Sequence, residues 1–450
     1  MQIFAHTLPL VSKAGTLMPP PLSLRPGQVV LATVVQVYGE QALVRIGEYV
    51  LRAALSVPLE PGARVWLQVQ DAAWPLVLRV LPPLPREAGH SGSSRAPNEA
   101  AILRALGLPA DDAALRALRA LVAAELPVTR EAVETLRAYL VARGGTLTET
   151  ETSAALAALL RGLPLTPATV EALHAFSFGP GLAALWVRFA EAAQVQLAGR
   201  GDAAAASAPV PDGREAGGNA VAALLAQLLQ LGPRVFLRAE RPKPDCLRRA
   251  LRLLGLELET TFAARRRHGA PEEENAAETL KGLLLRLLEH EASLSEPLRQ
   301  AAQQLLRHLV GQQLALLSDP QAPFVHAILQ LPLPFGDPRE TATLHVAARK
   351  EGAKVDADCL HLYLSLPLPH CGDTAVAADV YEGHLTVTVW TRHPGAEDAV
   401  HRWAPWFAER LAACGFRLRA LRWKPLDGDP EKTPPVLPAI IRYKGVDVRV

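Results

Sequence analysis

Hydrophobic and polar positions change their period several times along the chain, and each change marks a different kind of structure. Between residues 24 and 82 the apolar positions come in short, Val-rich runs: Gln28–Tyr38, Gln41–Ile46, Tyr49–Ser56, Ala63–Gln70 and Pro75–Leu81. Pro26-Gly27 and Pro61-Gly62 each stand just before a run, where fixed φ followed by a permissive glycine makes a turn. Five short strands in so little chain predict a small closed β-barrel, OB-like or SH3-like, because closure removes the exposed edges a short sheet would otherwise carry. The preceding residues 1–23 are apolar and Pro-rich without periodicity and read as a flexible leader.

Residues 83–97 change to Pro, Gly and Ser and read as a linker. From 98 to 198 the period becomes helical, and a short unit recurs. Leu126-Pro127-Val128-Thr129-Arg130 and Leu163-Pro164-Leu165-Thr166-Pro167 are two copies, and Leu108-Pro109-Ala110-Asp111 is a degenerate third. In each, Pro holds the chain extended and Thr129, Thr166 or Asp111 is placed to cap a helix, with Pro167 suited to the first helical position. Apolar residues follow at helical spacing, as with Val133, Leu136 and Leu140. Short helices that cannot bury a face alone are expected to stack into an array. A second linker is expected at 199–219, and a second helical region at 220–320. The latter contains amphipathic segments at Thr279–Ala292 and Glu296–Leu317 and a charged loop around Arg265-Arg266-Arg267 and Glu272-Glu273-Glu274.

Period-2 alternation returns in residues 321–450. Phe324–Leu331 and Thr341–Ala348 predict two strands, and Cys359–Leu366 alternates with Leu360, Leu362, Leu364 and Leu366 inward. Thr374–Tyr381 and Leu385–Trp390 predict a hairpin across Glu382-Gly383-His384. A helix over 396–414 carries Val400, Trp403, Phe407, Leu411 and Cys414 along one stripe. Pro405 is expected to kink or split it, and Gly415 to end it in the left-handed conformation. Phe416-Arg417-Leu418-Arg419 then returns as a strand. The expected fold class is therefore multidomain α+β: a barrel, a mainly helical middle, and a C-terminal module with one helix laid on a small sheet.

Composition changes this picture little. The chain has 450 residues, a formal net charge of +2 and 20% charged residues. Arg far outnumbers Lys, but the basic residues are dispersed, so nothing demands nucleic acid or anionic lipid. The nucleic-acid candidates are Tyr38, Tyr49, Trp66 and Trp74 with Arg45, Arg52, Arg64 and Arg79 on the barrel, and they carry the alternative reading of a nucleic-acid-associated protein. The four cysteines form no CxxC pair, which predicts reduced thiols. No positive region followed by an apolar core opens the chain, and no stretch approaches about 18 apolar residues. A cytoplasmic protein without membrane insertion is expected.

The sequence carries no GxSxG, HExxH or P-loop motif. Cys359, His361, His370 and Cys371 lie close together, but adjacent His370-Cys371 is not a structural-zinc spacing. No catalytic, cofactor or metal residues are expected, and no small-molecule substrate.

The order of the C-terminal pieces resembles the C-terminal domain of the flagellar hook-length control protein family. The matching pieces are Leu364–Gly372, Thr374–Tyr381, Leu385–Trp390 and the helix ending at Gly415, preceded by Gly311-Gln312-Gln313-Leu314 and Gln330-Leu331-Pro332-Leu333-Pro334-Phe335. The N-terminal barrel and Leu-Pro-x-Thr units resemble the family's longer variants. Cys371 stands where a Leu is usual before the glycine, and a long Ser/Thr/Gln-rich ruler is missing. The switching role therefore carries over more directly than length measurement. The resemblance implies a protein that passes through the flagellar export apparatus without a cleavable signal. It further implies a C-terminal domain that contacts the cytoplasmic domain of the export gate, along with hook-related proteins, and switches export from hook to filament substrates. By the same resemblance, Thr374, Val376 and Leu418 are the expected partner-contact residues.

Overall fold

The computed structural model describes residues 3–7, 27–38, 41–46, 49–54, 60–71, 76–80, 96–124, 126, 128–206, 214–235, 244–256, 279–317, 324–332, 341–351, 354–368, 370–393 and 395–426. Two compact units divide the chain at Thr166/Pro167, inside the stretch 98–198 read from the sequence as one helical region. The chain is mixed α+β, as expected.

In the first unit six antiparallel strands close into a barrel: β1 (Ile3–Thr7), β2 (Val29–Tyr38), β3 (Gln41–Ile46), β4 (Tyr49–Ala54), β5 (Arg64–Asp71) and β6 (Leu76–Val80), in the order β1-β4-β3-β2-β5-β6. Five of these are the strands the alternation predicts. The sixth, β1, comes from the expected leader and corrects that reading for Ile3–Thr7. It pairs Ala5 with Ala53 of β4 and with Leu76 of β6, joining what would otherwise be two open edges. The barrel core is small and aliphatic, with Val30, Ala32, Val34, Val44, Leu67 and Val69 buried. Register shifts between Val34 and Gln36, leaving Val35 as an exposed bulge residue.

Helices α1 (Ala96–Ala105), α2 (Asp112–Ala123), α3 (Arg130–Ala142) and α4 (Glu149–Leu160) complete this unit. Two of the three predicted caps are seen: Asp111 Oδ1 accepts from the Ala114 amide at 2.8 Å and Thr129 Oγ1 from that of Ala132 at 3.1 Å. The other carboxylate oxygen of Asp111 accepts from Arg137 Nε on α3 at 2.8 Å, so one side chain starts α2 and ties it to α3. That guanidinium, with the cap hydrogen bond, holds the Asp111 carboxyl below the usual carboxylate range. The Val29 amide of β2 donates to the Val128 carbonyl at 2.8 Å, fastening the segment before α3 to the barrel wall.

Among the described residues the second unit opens with six α-helices: α5 (Pro167–Phe178), α6 (Leu182–Ala206), α7 (Arg214–Val235), α8 (Pro244–Leu254), α9 (Leu280–Leu288) and α10 (Glu296–Leu316). Leu185, Phe189, Leu225, Leu228, Leu284, Leu287, Leu305 and Leu309 meet in one buried cluster. α5 starts at Pro167 as predicted, and it packs along α10. Gly311 permits that approach, since a Cβ there would stand 2.0 Å from the Ala172 carbonyl oxygen and 2.6 Å from Phe176 Cβ. The expected linker at 199–219 is helical at both ends, where α6 runs on through Ala203–Ala206 and α7 begins at Arg214. Alanine is the strongest helix former, which explains the extension of α6. The charged loop around Arg265–Glu274 lies outside the described residues.

After the helices, the chain forms a six-stranded sheet in the order β12-β11-β10-β9-β8-β7. Its strands are β7 (Phe324–Pro332), β8 (Thr341–Glu351), β9 (Lys354–Leu368), β10 (Gly372–Tyr381), β11 (His384–Thr391) and β12 (Arg417–Pro425). The first five form an antiparallel meander. A crossover helix, α11 (Ala396–Ala413), then brings β12 in parallel to β11. Among the described residues no single helix is long and apolar enough to cross a membrane; α5 with α6 passes only as a pair bent by 100°.

Candidate docking surface on the C-terminal sheet

Alternation along the strands gives this sheet two faces of different character. In register, Leu364, Val376 and Val389 stand side by side on one face, as do Leu360, Val380 and Leu385. That face is aliphatic. Over its β10–β12 end lies α11, whose Phe407 and Leu411 pack with Val380, Leu385, Val387, Leu418 and Leu421. Gly415 has φ +86°, so the helix ends as predicted in a conformation other residues resist, and Phe416 returns to the sheet. The β10–β11 hairpin turns on Glu382 and Gly383, both at positive φ, between the paired Tyr381 and His384.

The three residues expected to meet a partner lie in this packed layer. Thr374 is 5 % exposed, and its hydroxyl donates to the Gly372 carbonyl at 3.1 Å. Val376 and Leu418 are partly buried against the cluster under α11. The geometry therefore brings Val376 and Leu418 into one core and places Thr374 at the turn. The turn itself is fastened to β11: the buried Thr391 hydroxyl donates to the Cys371 carbonyl at 2.9 Å. Cys371 is half-buried there.

The opposite face is polar. His361 Nδ1 and Asp379 Oδ1 are paired on adjacent strands. One strand away, His345 meets the Tyr363 ring edge-on at 5.8 Å. Burial, with the nearby His361, pushes the His345 pKa down to about 4, and burial raises that of Tyr363. Both shifts follow from a polar group losing water on a half-covered sheet. Among the described residues no group of three His, Cys, Asp or Glu side chains is placed to hold a metal ion.

At the β7 edge the helices close onto the sheet through side-chain amides. Gln330 Oε1 accepts from the Leu182 amide at 3.3 Å, and its Nε2 donates to the Phe176 carbonyl at 3.4 Å. Gln312 Nε2 donates to the Gln330 carbonyl at 3.3 Å, and Thr341 Oγ1 accepts from the Ala183 amide at 3.1 Å. His308 is fully buried beside them, with no hydrogen bond of good geometry to either ring nitrogen. Burial drives its pKa down to about 4, outweighing the Ala175 backbone and the Gln330 side chain, which favour the charged ring.

The outer side of α11 departs from the predicted stripe. Trp403 is 59 % exposed and Trp406 50 %, while Cys414 is exposed at the helix end. The inward stripe runs through Val400, Ala404, Phe407 and Leu411, so Ala404 takes the place the sequence reading gave to Trp403. Pro405 does not split α11, which runs unbroken from Ala396 to Ala413 with Pro405 on the exposed side. The signal for this face was present in the sequence as Arg402, Trp406 and Arg410 at i, i+4 and i+8.

On the barrel, Arg45 and Arg79 are exposed and Trp66 is half-buried; Arg45 and Arg64 both pair in register with Thr33. Trp74 lies outside the described residues. Compared with protein-family models, curated proteins and solved structures, the chain matches none.

Proposed function

We propose that this chain is a non-enzymatic protein of the flagellar hook-length control type. Its C-terminal module contacts the cytoplasmic domain of the flagellar export gate and switches export from hook to filament substrates. One observation carries the reading. The run of strand, Gly-closed turn, hairpin, helix ending in Gly and last strand, on which the resemblance rests, folds as a single layered unit from β9 to β12 with α11 over it.

Deletion of residues 324–450 in the native host tests this function. Over-long hooks without filaments are expected. Normal filaments with the module gone would contradict it.

A further inference from the structure

α11 turns Phe407 and Leu411 to the sheet, and on its other side it shows residues that folded domains ordinarily hide. The exposed rings of Trp403 and Trp406 meet edge-on, their centroids 5.9 Å apart and their planes at 81°. The Arg410 guanidinium lies 5.1 Å from the centre of the Trp406 ring. Arg402 and Arg410 stand one turn before and one turn after Trp406, both exposed, so the three form a row along the helix. Tryptophan and arginine are the residues that most often anchor protein interfaces. Rings already braced by a neighbour and by a cation lose little freedom when a partner covers them.

We propose that the Trp403–Trp406–Arg410 face of α11 is the docking surface for an acidic protein segment. Apolar side chains of that segment cover the two indoles, and its carboxylates pair with Arg402 and Arg410. The proposal rests on the reading that the C-terminal module works by protein contact, and it moves the point of contact from the sheet core to the helix. The choice of occupant follows from charge. Asp398 and Glu409 are also exposed on α11, four residues before and seven after Arg402 and so on its side of the helix. A phosphate-dense surface, whether bilayer or nucleic acid, would bring its negative charge against both. A protein segment can place carboxylates at two points and leave the rest neutral.

The test titrates the full chain against the purified cytoplasmic domain of the host's export gate at low and high salt. Trp403→Ala/Trp406→Ala is expected to weaken binding at least tenfold with no change in the melting curve. Arg402→Glu/Arg410→Glu is expected to weaken it similarly and to remove most of its salt dependence, while Arg402→Lys/Arg410→Lys keeps most of the affinity. Variants that bind as the wild type does would overturn the surface and leave the contact reading standing. A wild-type chain that does not bind the gate domain would overturn both. Retention on phosphatidylglycerol vesicles or on single-stranded DNA, or self-association, lost in the tryptophan variant would assign the face to that occupant and overturn the acidic segment.

Discussion

The two ends of the C-terminal sheet are held in opposite ways. At β7 the edge is closed by helices through buried side-chain amides: Gln330 reaches the Leu182 amide and the Phe176 carbonyl, and Gln312 reaches the backbone of β7 itself. At β12 the edge follows a crossover helix whose outer side carries exposed tryptophans, and Arg417, Arg419, Arg422 and Lys424 are exposed along the strand. Charged side chains on an edge strand discourage further pairing with like sheets. A sheet built with two different edges can be anchored by one and read by the other. The same alternation produces both strands, so the difference lies in what the neighbouring helices carry.

The most severe way to break the anchored end is through α10. Gly311→Ala places a methyl group against the α5 backbone, and the second unit is expected to lose about 3 kcal/mol, read from urea unfolding of the full chain. Tolerance of that change would mean that α5 and α10 are not in close approach. Acidification attacks the same end. The His308 pKa is depressed to about 4 in the folded chain, so the ring is neutral there while the unfolded chain takes up a proton below about 6.5. Its contribution is complete above pH 6.5 and declines by about 3 kcal/mol as pH falls to 4. His345, depressed in the same direction, adds to the slope. His308→Leu should flatten the acid limb of stability measured against pH by about half. Gln330→Leu leaves the Leu182 amide and the Phe176 carbonyl without their partner and is expected to cost about 2 kcal/mol. At the open end the expected effect on stability is smallest. Trp403→Ala/Trp406→Ala removes exposed side chains and should shift unfolding by no more than about 0.5 kcal/mol.

How much of this was legible depended on how local the signal was. Every strand of the C-terminal sheet announces itself by alternation, and Gly415 ends α11 as read, because both are decided within a few residues. β1 was missed because Ile3-Phe4-Ala5-His6-Thr7 is too short to show a period, and its partners β4 and β6 lie far along the chain. Trp403 was placed inward by its hydrophobicity, but on a helix beside a sheet a small residue can be the better neighbour. Thr374, Val376 and Leu418 came from the family resemblance and not from a pattern in the residues, and their burial became visible only in the fold.

The contrast between the two edges comes down to one paired measurement. Gln330→Leu and Trp403→Ala/Trp406→Ala are compared for unfolding midpoint and for affinity toward the export gate's cytoplasmic domain. The account predicts a lowered midpoint for the first, and for the second an unchanged midpoint with binding weakened at least tenfold. A tryptophan variant that loses stability yet binds as the wild type would contradict it.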